Sequence, residues 1–509
     1  MSAITSSRPA RISDPAGLLF AVLTAAIVSA LSIWYFHHIG STLYFGDAES
    51  HLNTARRIVD SRTPGYDQLG SPWLPLPHIL MLPFIGNMAL WRTGLAGSIP
   101  SGACFIAAAG FLYAATFRVF QSRVAAGATT AAFVLNPNAL YLQSIPMTES
   151  AFCFALLGLL YYTVLFEQTR SLAAAACAGT MALAGTLTRY EGWFILPFVA
   201  LFVFLAGSKR RVTSTLLFSV IAAAGPLWWF SYNWWYFGNA LYFYNGPYSA
   251  KAIQGAGSYP GKDDWITATK YFLMAARMVV GTPLFWIGFA GLVAACARRA
   301  FWPVLLLALP PLFYIWSMHS AGNPIYIPKL PPFSWYNTRY GLAALPLFAF
   351  CCGAAASISA PRVAPALLVV ILAVSPWVVQ PHRANWVTWR ESEVNSEMRR
   401  GWTYEAAEYL RAHFRKGDTI FTSFGDITAV YRESGIPLRK TFTGDNGLEW
   451  QATVFRPDLF LRDSWVIGVI ATGCDPVETT VARSSDYKLV RQIEVKNAPA
   501  IGIYHLYHR

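Results

Sequence analysis

The sequence predicts a polytopic α-helical membrane protein that ends in a small α/β domain. Of its 509 residues, 55% are hydrophobic and 13% are charged, whereas about a quarter of the residues of a soluble globular protein are charged. Apolar runs of membrane-spanning length recur up to about residue 380, and helix and strand patterns alternate after it. We therefore expect a membrane module at residues 1–380 and a separate domain at residues 381–509.

Eleven apolar runs are candidates for membrane crossings, because about 20 apolar residues span a bilayer as a helix. The first run covers about residues 15–37 and follows Arg8 and Arg11, as in a signal anchor. The others cover residues 97–117, 124–142, 148–166, 171–189, 192–207, 213–236, 279–297, 302–318, 339–359 and 363–380. Residues 237–277 are expected to form an outer loop.

The chain between the first two crossings is expected to lie at the membrane surface. Residues 48–59 are too polar to cross the membrane, but Leu52, Ala55, Ile58 and Val59 repeat at helical spacing. Four prolines between residues 72 and 83 disfavour a straight crossing in the next stretch. We therefore predict two surface or half-inserted elements in this first outer loop.

Basic residues between the crossings determine the predicted orientation. Every short connection on one side carries at least one of them: Arg118, Arg123, Arg170, Lys209, Arg210, Arg211, Arg298, Arg299 and Arg362. The positive-inside rule places these connections in the cytoplasm. The N-terminus is then cytoplasmic and the C-terminal domain lies outside. The compact spans fit a bacterial inner membrane with a periplasmic tail, and an endoplasmic reticulum membrane would present the same face to its lumen.

The net charge of +13 comes from the membrane part of the chain. From Val387 onward 16 basic residues balance 16 acidic ones, whereas the preceding residues include 23 basic and 10 acidic ones. This distribution indicates membrane topology and not a nucleic-acid-binding surface. The seven cysteines have neither a disulfide pattern nor metal-ligand spacing, so we expect no metal and no cofactor.

The tail is predicted to combine helices and strands. Residues 405–414 have the pattern of an amphipathic helix, and residues 418–422, 464–471 and 500–507 have that of strands. Such alternation is typical of a small α/β domain.

Ionisable and polar side chains collect at the outer ends of the predicted crossings. The first loop begins with Asp47, Glu49 and His51, and later segments contribute Glu149, Arg189, Glu191, Lys329, Tyr336, Arg339 and Tyr340. Charged groups at membrane depth are costly and tend to line cavities or to form pairs. Their concentration on one side predicts a polar pocket there.

Several of these residues allow a second, structural interpretation. Asp47 could cap the helix that starts at Ala48, and capping is compatible with catalysis. Arg189 and Glu191 could form a pair at the end of a crossing, and Glu149 could brace Arg339 or Lys329 without touching a substrate. Glu49 and His51 could be solvated or interfacial residues.

Together these features resemble the GT-C glycosyltransferases. The resemblance rests on Gly46-Asp47-Ala48-Glu49 after the first crossing, the proline-rich stretch, Glu149 after an Asn-Pro pair, Arg339-Tyr340 at a late crossing, and the outer C-terminal domain. The chain is most similar in these respects to protein O-mannosyltransferases and bacterial aminoarabinose transferases, and its loop also resembles that of dolichyl-phosphate-glucose-dependent glucosyltransferases. Here Ala48 splits the adjacent Asp-Glu pair that is common in the family.

The resemblance implies transfer of a sugar from a polyprenyl-phosphate donor to an acceptor hydroxyl, with Asp47 as the general base. A sugar on a polyprenyl phosphate already carries a good leaving group, so the enzyme must deprotonate the acceptor and stabilise the departing phosphate. Arg339, helped by Arg189 or Lys329, is expected to bind that phosphate. Direct displacement inverts the anomeric centre and requires no metal.

A transporter or flippase for a lipid-linked or anionic substrate is the alternative function. Transporters usually contain inverted repeats and charges near the middle of their crossings. In this sequence the crossings are apolar through their centres and the charges gather at one face. This distribution favours an enzyme that acts among membrane lipids on the outer face.

Overall fold

The computed structural model describes residues 13–247, 249–254, 257–358, 363–379, 385–423, 425, 427–470, 475–496 and 498–507. The predicted boundary at residues 380 and 381, Arg8, Arg11 and Arg362 therefore lie outside the described residues. The chain divides into two compact units. The first comprises Met1–Tyr35, Ser101–Ser144 and Thr148–Glu391, and the second comprises Phe36–Pro100, Ile145–Met147 and Ser392–Arg509.

Helices make up most of both units. Up to residue 378 they are α1 (Pro15–His38), α2 (Gly46–Val59), α3 (Leu76–Ile85), α4 (Met88–Thr93), α5 (Leu95–Phe120), α6 (Arg123–Val134), α7 (Pro137–Gln143), α8 (Glu149–Thr169), α9 (Leu172–Thr186), α10 (Glu191–Ala206), α11 (Arg211–Phe237), α12 (Tyr242–Asn245), α13 (Ala250–Gln254), α14 (Trp265–Val280), α15 (Thr282–Ala297), α16 (Phe301–Ser320), α17 (Leu345–Ile358) and α18 (Val363–Val378). The later ones are α19 (Val387–His413), α20 (Thr428–Ser434), α21 (Leu448–Phe455), α22 (Pro457–Phe460) and α23 (Pro476–Val481).

Membrane-spanning helices dominate the first unit. Within the described ranges, six helical segments are long and apolar enough to cross a bilayer: Pro15–His38, Leu95–Phe120, Glu149–Thr169, Ser208–Phe237, Phe301–Ser320 and Thr338–Ile358. The pair α14 and α15, bent by 111°, makes seven if it counts as one crossing. Four shorter apolar helices are α3, α9, α10 and α18. The polytopic helical class is confirmed, whereas the count of eleven crossings stays a prediction.

Two predicted segments of the first unit differ in detail from the structure. The run at residues 124–142 is two helices, α6 and α7, because Pro137 follows Asn136 and starts a new helix that the Asn136 side chain caps. The predicted loop at residues 237–277 contains most of α14, whose first turn is capped by the Asp264 carboxylate. The Asn136 amide donates to the carbonyl oxygen of Val279 at 2.9 Å, which ties the broken segment to the end of α14.

The second unit is an α/β domain built on a five-stranded sheet. Its strands are β1 (Ile420–Thr422), β2 (Thr441–Phe442), β3 (Trp465–Ile470), β4 (Tyr487–Ile493) and β5 (Ala500–Leu506). Their order across the sheet is β2-β1-β3-β5-β4. β1 pairs in parallel with β2 and β3, and β5 is antiparallel to β3 and β4. The predicted strands correspond to β1, β3 and β5, with Ala471 outside the described residues.

The first outer loop contributes to the core of this second unit. Leu52 and Ala55 of α2 are fully buried in one cluster with Leu410 of α19 and with Ile467 and Ile503 of the sheet. The helical repeat of apolar residues in α2 thus marks a face that packs on protein. A face that contacts lipid would show the same period, so the sequence does not distinguish the two. α2 is therefore an integral part of the α/β domain.

Candidate functional site

Asp47 lies in the first turn of α2. The helix begins at Gly46 and its N-cap is Phe45, which has extended backbone angles (φ −66°, ψ 132°). The cap position therefore belongs to Phe45 and not to Asp47. The Asp47 side chain is half-buried, and the exposed N–H groups at a helix N-terminus stabilise a carboxylate at this position.

Glu49 faces a different direction from Asp47, since two residues along an α-helix differ by about 200° around its axis. Its side chain is 1% exposed. The Arg432 Nε donates to both carboxylate oxygens of Glu49, at 2.8 Å and 3.0 Å, and the Asn53 amide donates to one of them at 2.9 Å. Glu49 thus anchors α2 to α20, and this geometry favours a structural role.

His51 is buried in an aromatic cluster of the second unit. Its Nδ1 lies 2.9 Å from Nε2 of His78, so one of the two rings donates a hydrogen bond to the other. The Trp73 ring centroid lies 4.2 Å from that of His51. Burial lowers the pKa of His78 well below its usual value, and the charges of His51 and Arg57 lower it further.

In the first unit, Arg189 is the centre of a polar cluster at the ends of α8, α9 and α10. Its Nε donates to Glu191 at 2.7 Å, and its Nη1 lies 3.2 Å from the Glu149 carboxylate. The Thr148 and Tyr314 hydroxyls accept further hydrogen bonds from the same guanidinium. Tyr314 in turn donates to Glu191. The structure thus brings together three of the predicted residues, Glu149, Arg189 and Glu191.

Arg339 and Tyr340 reach this cluster from the 3₁₀ turn Thr338–Ala344. The Arg339 Nε lies 3.6 Å from Glu149. The Tyr340 ring centroid lies 5.3 Å from the guanidinium carbon of Arg339 and 5.6 Å from that of Arg189, which is within the range of cation–π attraction. Tyr340 therefore separates two like charges and partly compensates both.

The backbone of this turn is fixed by two features. The Glu391 carboxylate accepts hydrogen bonds from the backbone N–H groups of Thr338 and Arg339, both at 3.0 Å. Gly341 allows the turn to pack closely on α14, because a Cβ there would lie 2.5 Å from the carbonyl oxygen of Ala275. The Arg339 side chain, 7% exposed, is thus held on a rigid support.

Lys329 and Tyr336 are exposed residues of the first unit. Lys329 is exposed and forms no ion pair with the described residues. Tyr336 is 42% exposed, and its backbone pairs with that of Tyr326 through hydrogen bonds of 2.9 Å and 3.2 Å. The structure does not add either residue to the cluster around Arg189.

The sequence prediction did not include several residues that contact the predicted ones within the same unit. Tyr314 is a polar group inside an apolar helix, which is a signal that the sequence did contain. Glu391 and Arg432 form their contacts with residues 52 and 383 positions away. Such long-range pairs leave no local pattern. The described residues contain no group of three or more His, Cys, Asp or Glu side chains that could hold a metal ion, and independence from metal stays a prediction.

No model of a known protein family matches the sequence, and no curated protein matches it. Solved structures do match its fold. The structure of ArnT from Cupriavidus metallidurans bound to undecaprenyl phosphate matches with a TM-score of 0.60 and 13% sequence identity, and covers 96% of this chain and 98% of that one. The structure of the same protein in the apo state matches with a TM-score of 0.54 and 12% identity, and covers 94% and 97%.

The chain shares the fold of ArnT. The match extends over almost the whole length of both chains, so the membrane helices and the C-terminal sheet domain both belong to the shared fold. The resemblance that the sequence motifs indicated is thereby confirmed at the level of the fold. At 13% identity the match does not assign roles to individual residues, and the functions of Asp47 and Arg339 stay predictions.

Proposed function

We propose that this protein is a membrane glycosyltransferase that transfers a sugar from a polyprenyl-phosphate donor to an acceptor hydroxyl. The observation that carries the proposal is the GT-C fold, which this chain shares over 96% of its length with an ArnT bound to undecaprenyl phosphate. Asp47 directly follows the first membrane-spanning helix, where the motif resemblance expects the catalytic base. The donor is itself a membrane lipid and would reach the protein from within the bilayer.

In the proposed reaction one bond forms at the anomeric carbon of the sugar as another breaks. The acceptor oxygen attacks that carbon, and its proton passes to the Asp47 carboxylate. The bond from the anomeric carbon to the phosphate oxygen breaks, and the electron pair leaves with the polyprenyl phosphate. Attack from the side opposite the phosphate inverts the anomeric configuration. The phosphate already carries negative charge, so its departure needs cationic side chains and no redox step.

Asp47 suits the role of base better than its neighbour does. Both oxygens of Glu49 accept hydrogen bonds from Arg432 within 3.0 Å, so this carboxylate is already engaged in a charge-assisted pair that anchors α2. Asp47 is half-buried and lies on another face of α2. We therefore assign proton abstraction to Asp47 and structural anchoring to Glu49.

Arg339 is the best candidate for binding the phosphate of the donor. Arg189 is committed to Glu191, Glu149, Thr148 and Tyr314, and its displacement would leave buried carboxylates uncompensated. Arg339 is buried, and Glu391 holds its backbone. A guanidinium that is already oriented loses little entropy when it forms two hydrogen bonds to a phosphate.

The proposed reaction takes place on the outer face of the membrane. The charge distribution predicts a cytoplasmic N-terminus and a periplasmic C-terminal domain in a bacterial inner membrane. The acceptor hydroxyl belongs to a protein, a lipid or a glycan. A donor on the same face reaches the protein from within the bilayer.

Co-purified lipids test the donor assignment. Wild-type protein and the Arg339→Ala variant would be purified in a mild detergent, and their bound lipids would be extracted and identified by mass spectrometry. We expect a polyprenyl phosphate, with or without a sugar, in the wild type and a loss of about tenfold or more in Arg339→Ala, because a charged hydrogen-bonding pair contributes about 1.5–3 kcal/mol. Lys270→Ala removes an exposed cation of the same unit that has no predicted role in donor binding, and it should retain the lipid.

Two results would contradict the proposal in different ways. Wild-type protein without any polyprenyl lipid would remove the support for this donor class. Equal amounts of polyprenyl phosphate in wild type and Arg339→Ala would retain the donor class but exclude Arg339 from the phosphate site.

A further inference from the structure

A second cationic site lies within the second unit, in a cleft of about 180 Å³. The cleft is bounded by α4, α19, α20 and the chain that follows α1. Four arginines line it, namely Arg92, Arg399, Arg400 and Arg432. The one acidic side chain among its lining residues is Glu433. The lining therefore carries an excess of positive charge.

Two of these arginines are held by neutral groups. The guanidinium of Arg92 donates to the backbone carbonyl of Glu433 at 3.0 Å. The guanidinium of Arg400 donates to the Ser396 hydroxyl at 3.1 Å and lies 4.1 Å from the ring centroid of Tyr44. Among the residues that the structure describes, neither arginine forms an ion pair with a carboxylate. Their positive charges are thus oriented by the protein but not neutralised by it.

Arg432 differs from these two because it already has a carboxylate partner. It forms the buried ion pair with Glu49 at 2.8 Å and lies 3.4 Å from Glu433. Its role in the cleft is to hold α2 and α20 together. Arg399 donates to the backbone carbonyls of Leu43 and Tyr44, at 3.2 Å and 2.7 Å. We therefore expect Arg92 and Arg400 to attract an anion more strongly than Arg432 does.

Two hydroxyl groups in the cleft provide independent support for a ligand. Thr42 and Thr403 both line it and are each 4% exposed. Neither Oγ1 atom has a hydrogen-bond partner within the described part of the chain. Buried hydroxyls in proteins are normally hydrogen-bonded, and an unsatisfied one costs about 1–3 kcal/mol. A ligand with several oxygen atoms would satisfy both groups.

We propose that this cleft binds a phosphate group carried by a membrane lipid headgroup. Two guanidiniums and two hydroxyls match the several oxygen acceptors of a phosphate better than the two of a carboxylate. His37, which also lines the cleft, belongs to the last turn of α1. A membrane-spanning helix ends at the headgroup layer, so the cleft is within reach of lipid phosphates. This site is separate from the proposed transfer reaction and does not depend on it.

Phosphatidic acid is a suitable probe because it presents a terminal phosphate on a lipid. Binding of short-chain phosphatidic acid to the purified full-length protein would be measured in neutral detergent, with inorganic phosphate and a diacylglycerol as comparison ligands. The variant Arg92→Gln/Arg400→Gln removes two of the positive charges that line the cleft. We expect it to bind phosphatidic acid at least about tenfold more weakly than the wild type, because each charged contact to phosphate is strong.

Two further variants control for charge and for folding. Arg462→Gln removes a cation of the same unit that lies outside the cleft lining and donates to the backbone carbonyls of Leu461 and Asp458, and it should bind like the wild type. Thr403→Val conserves shape and charge but removes a buried hydroxyl, and it should weaken binding about fivefold. Valine has nearly the same shape as threonine, so Thr403→Val is expected to fold. The site can therefore be tested even if the double arginine variant does not fold.

The comparison ligands distinguish the two sources of phosphate. Binding of phosphatidic acid in preference to inorganic phosphate and diacylglycerol supports a lipid headgroup. Inorganic phosphate could instead bind the wild type as tightly as phosphatidic acid does and bind Arg92→Gln/Arg400→Gln weakly. That result would overturn the lipid assignment in favour of soluble phosphate. Unchanged affinity in both the double arginine variant and Thr403→Val, or an equal loss in Arg462→Gln, would overturn the site.

Discussion

The buried pair of His51 and His78 shows how burial and nearby positive charges keep a histidine neutral. The His78 side chain is 0% exposed and its Nε2 lies 2.9 Å from His51 Nδ1. Burial lowers the pKa of His78, as do the charges of His51 and Arg57. His78 is therefore neutral in the folded protein near pH 7, and a proton on it would break a well-packed cluster.

Stability should consequently fall in mild acid. Unfolded His78 takes up a proton below its ordinary pKa of about 6.5, whereas folded His78 does not. The unfolded state then binds more protons, so the free energy of unfolding decreases as pH drops below this value, by up to about 1.4 kcal/mol per pH unit. Thermal unfolding at pH 7.5 and pH 5.5 should show a smaller loss for His78→Gln than for the wild type.

An exposed histidine serves as the control for this pH effect. His413 lies at the end of α19 in the same unit and is exposed, so His413→Gln should retain the pH dependence of the wild type. Equal loss of stability in wild type and His78→Gln would show that His78 does not carry the effect.

The different surroundings of Asp47 and Glu49 were only partly predictable from the sequence. Helical spacing indicates that the two carboxylates point in different directions. The partner of Glu49 is Arg432, 383 residues away in the chain, and no local pattern connects them. Sequence reasoning could therefore separate the two residues but could not assign Glu49 to an ion pair.

At the scale of elements, ion pairs fix α2 and its following loop to the rest of the α/β domain. Glu49 pairs with Arg432 at 2.8 Å and Asp60 pairs with Arg439 at 2.9 Å. Two further pairs are Arg57 with Asp445, and Arg62 with Asp463 at 3.2 Å. The first pair is nearly inaccessible to solvent, whereas the Arg439 side chain is 60% exposed. These pairs should therefore differ greatly in their contributions to stability.

Removal of Arg432 should be the most costly of these changes. Arg432→Met leaves Glu49 buried and uncompensated, which typically costs about 3–5 kcal/mol, whereas Arg439→Gln removes an exposed partner and should cost less than about 1 kcal/mol. The double variant Glu49→Gln/Arg432→Met should be more stable than Arg432→Met alone, because the unpaired charge is gone. Denaturant unfolding of the four proteins measures these differences, and a double variant that is no more stable than Arg432→Met would contradict the coupling.

Elements with strong local patterns could be predicted, and those with weak patterns could not. β3 and β5 are apolar strands, and their runs of apolar residues predict strands directly from the sequence. In β4 the five residues between Tyr487 and Ile493 are exposed, and β2 has two residues, so neither has a periodic apolar signal. α14 is amphipathic and directly follows a loop. Its polar residues are therefore hard to distinguish, in the sequence, from those of the loop.

At the scale of the whole molecule, composition predicts the membrane class, and the domain boundary near residue 380 stays a prediction. The predicted division near residue 380 follows the change from apolar to mixed sequence. The structure's second unit joins residues 36–100 and 145–147 to residues 392–509. The joining contacts are the core around Leu52 and the ion pairs of α2, which depend on tertiary proximity. A domain division based on composition cannot include them.

The fold shared with ArnT connects this architecture to the proposed reaction. The motif resemblance predicted the fold, and the match over 96% of the chain confirms it. We propose that Asp47 deprotonates the acceptor hydroxyl, so that the sugar is transferred from the polyprenyl phosphate to the acceptor. General base catalysis contributes about 10²–10⁴ to the rate, so loss of the base should slow transfer and leave the donor loaded with its sugar.

The most direct measurement is mass spectrometry of the polyprenyl lipids that co-purify with wild type, Asp47→Asn and the control Asp67→Asn. Asp67 is an exposed carboxylate of the same loop, so its variant should resemble the wild type. We predict bare polyprenyl phosphate in the wild type and in Asp67→Asn, and a polyprenyl phosphate that still carries its sugar in Asp47→Asn. Identical lipid species in all three proteins would contradict the account, as a transporter or flippase would give that result.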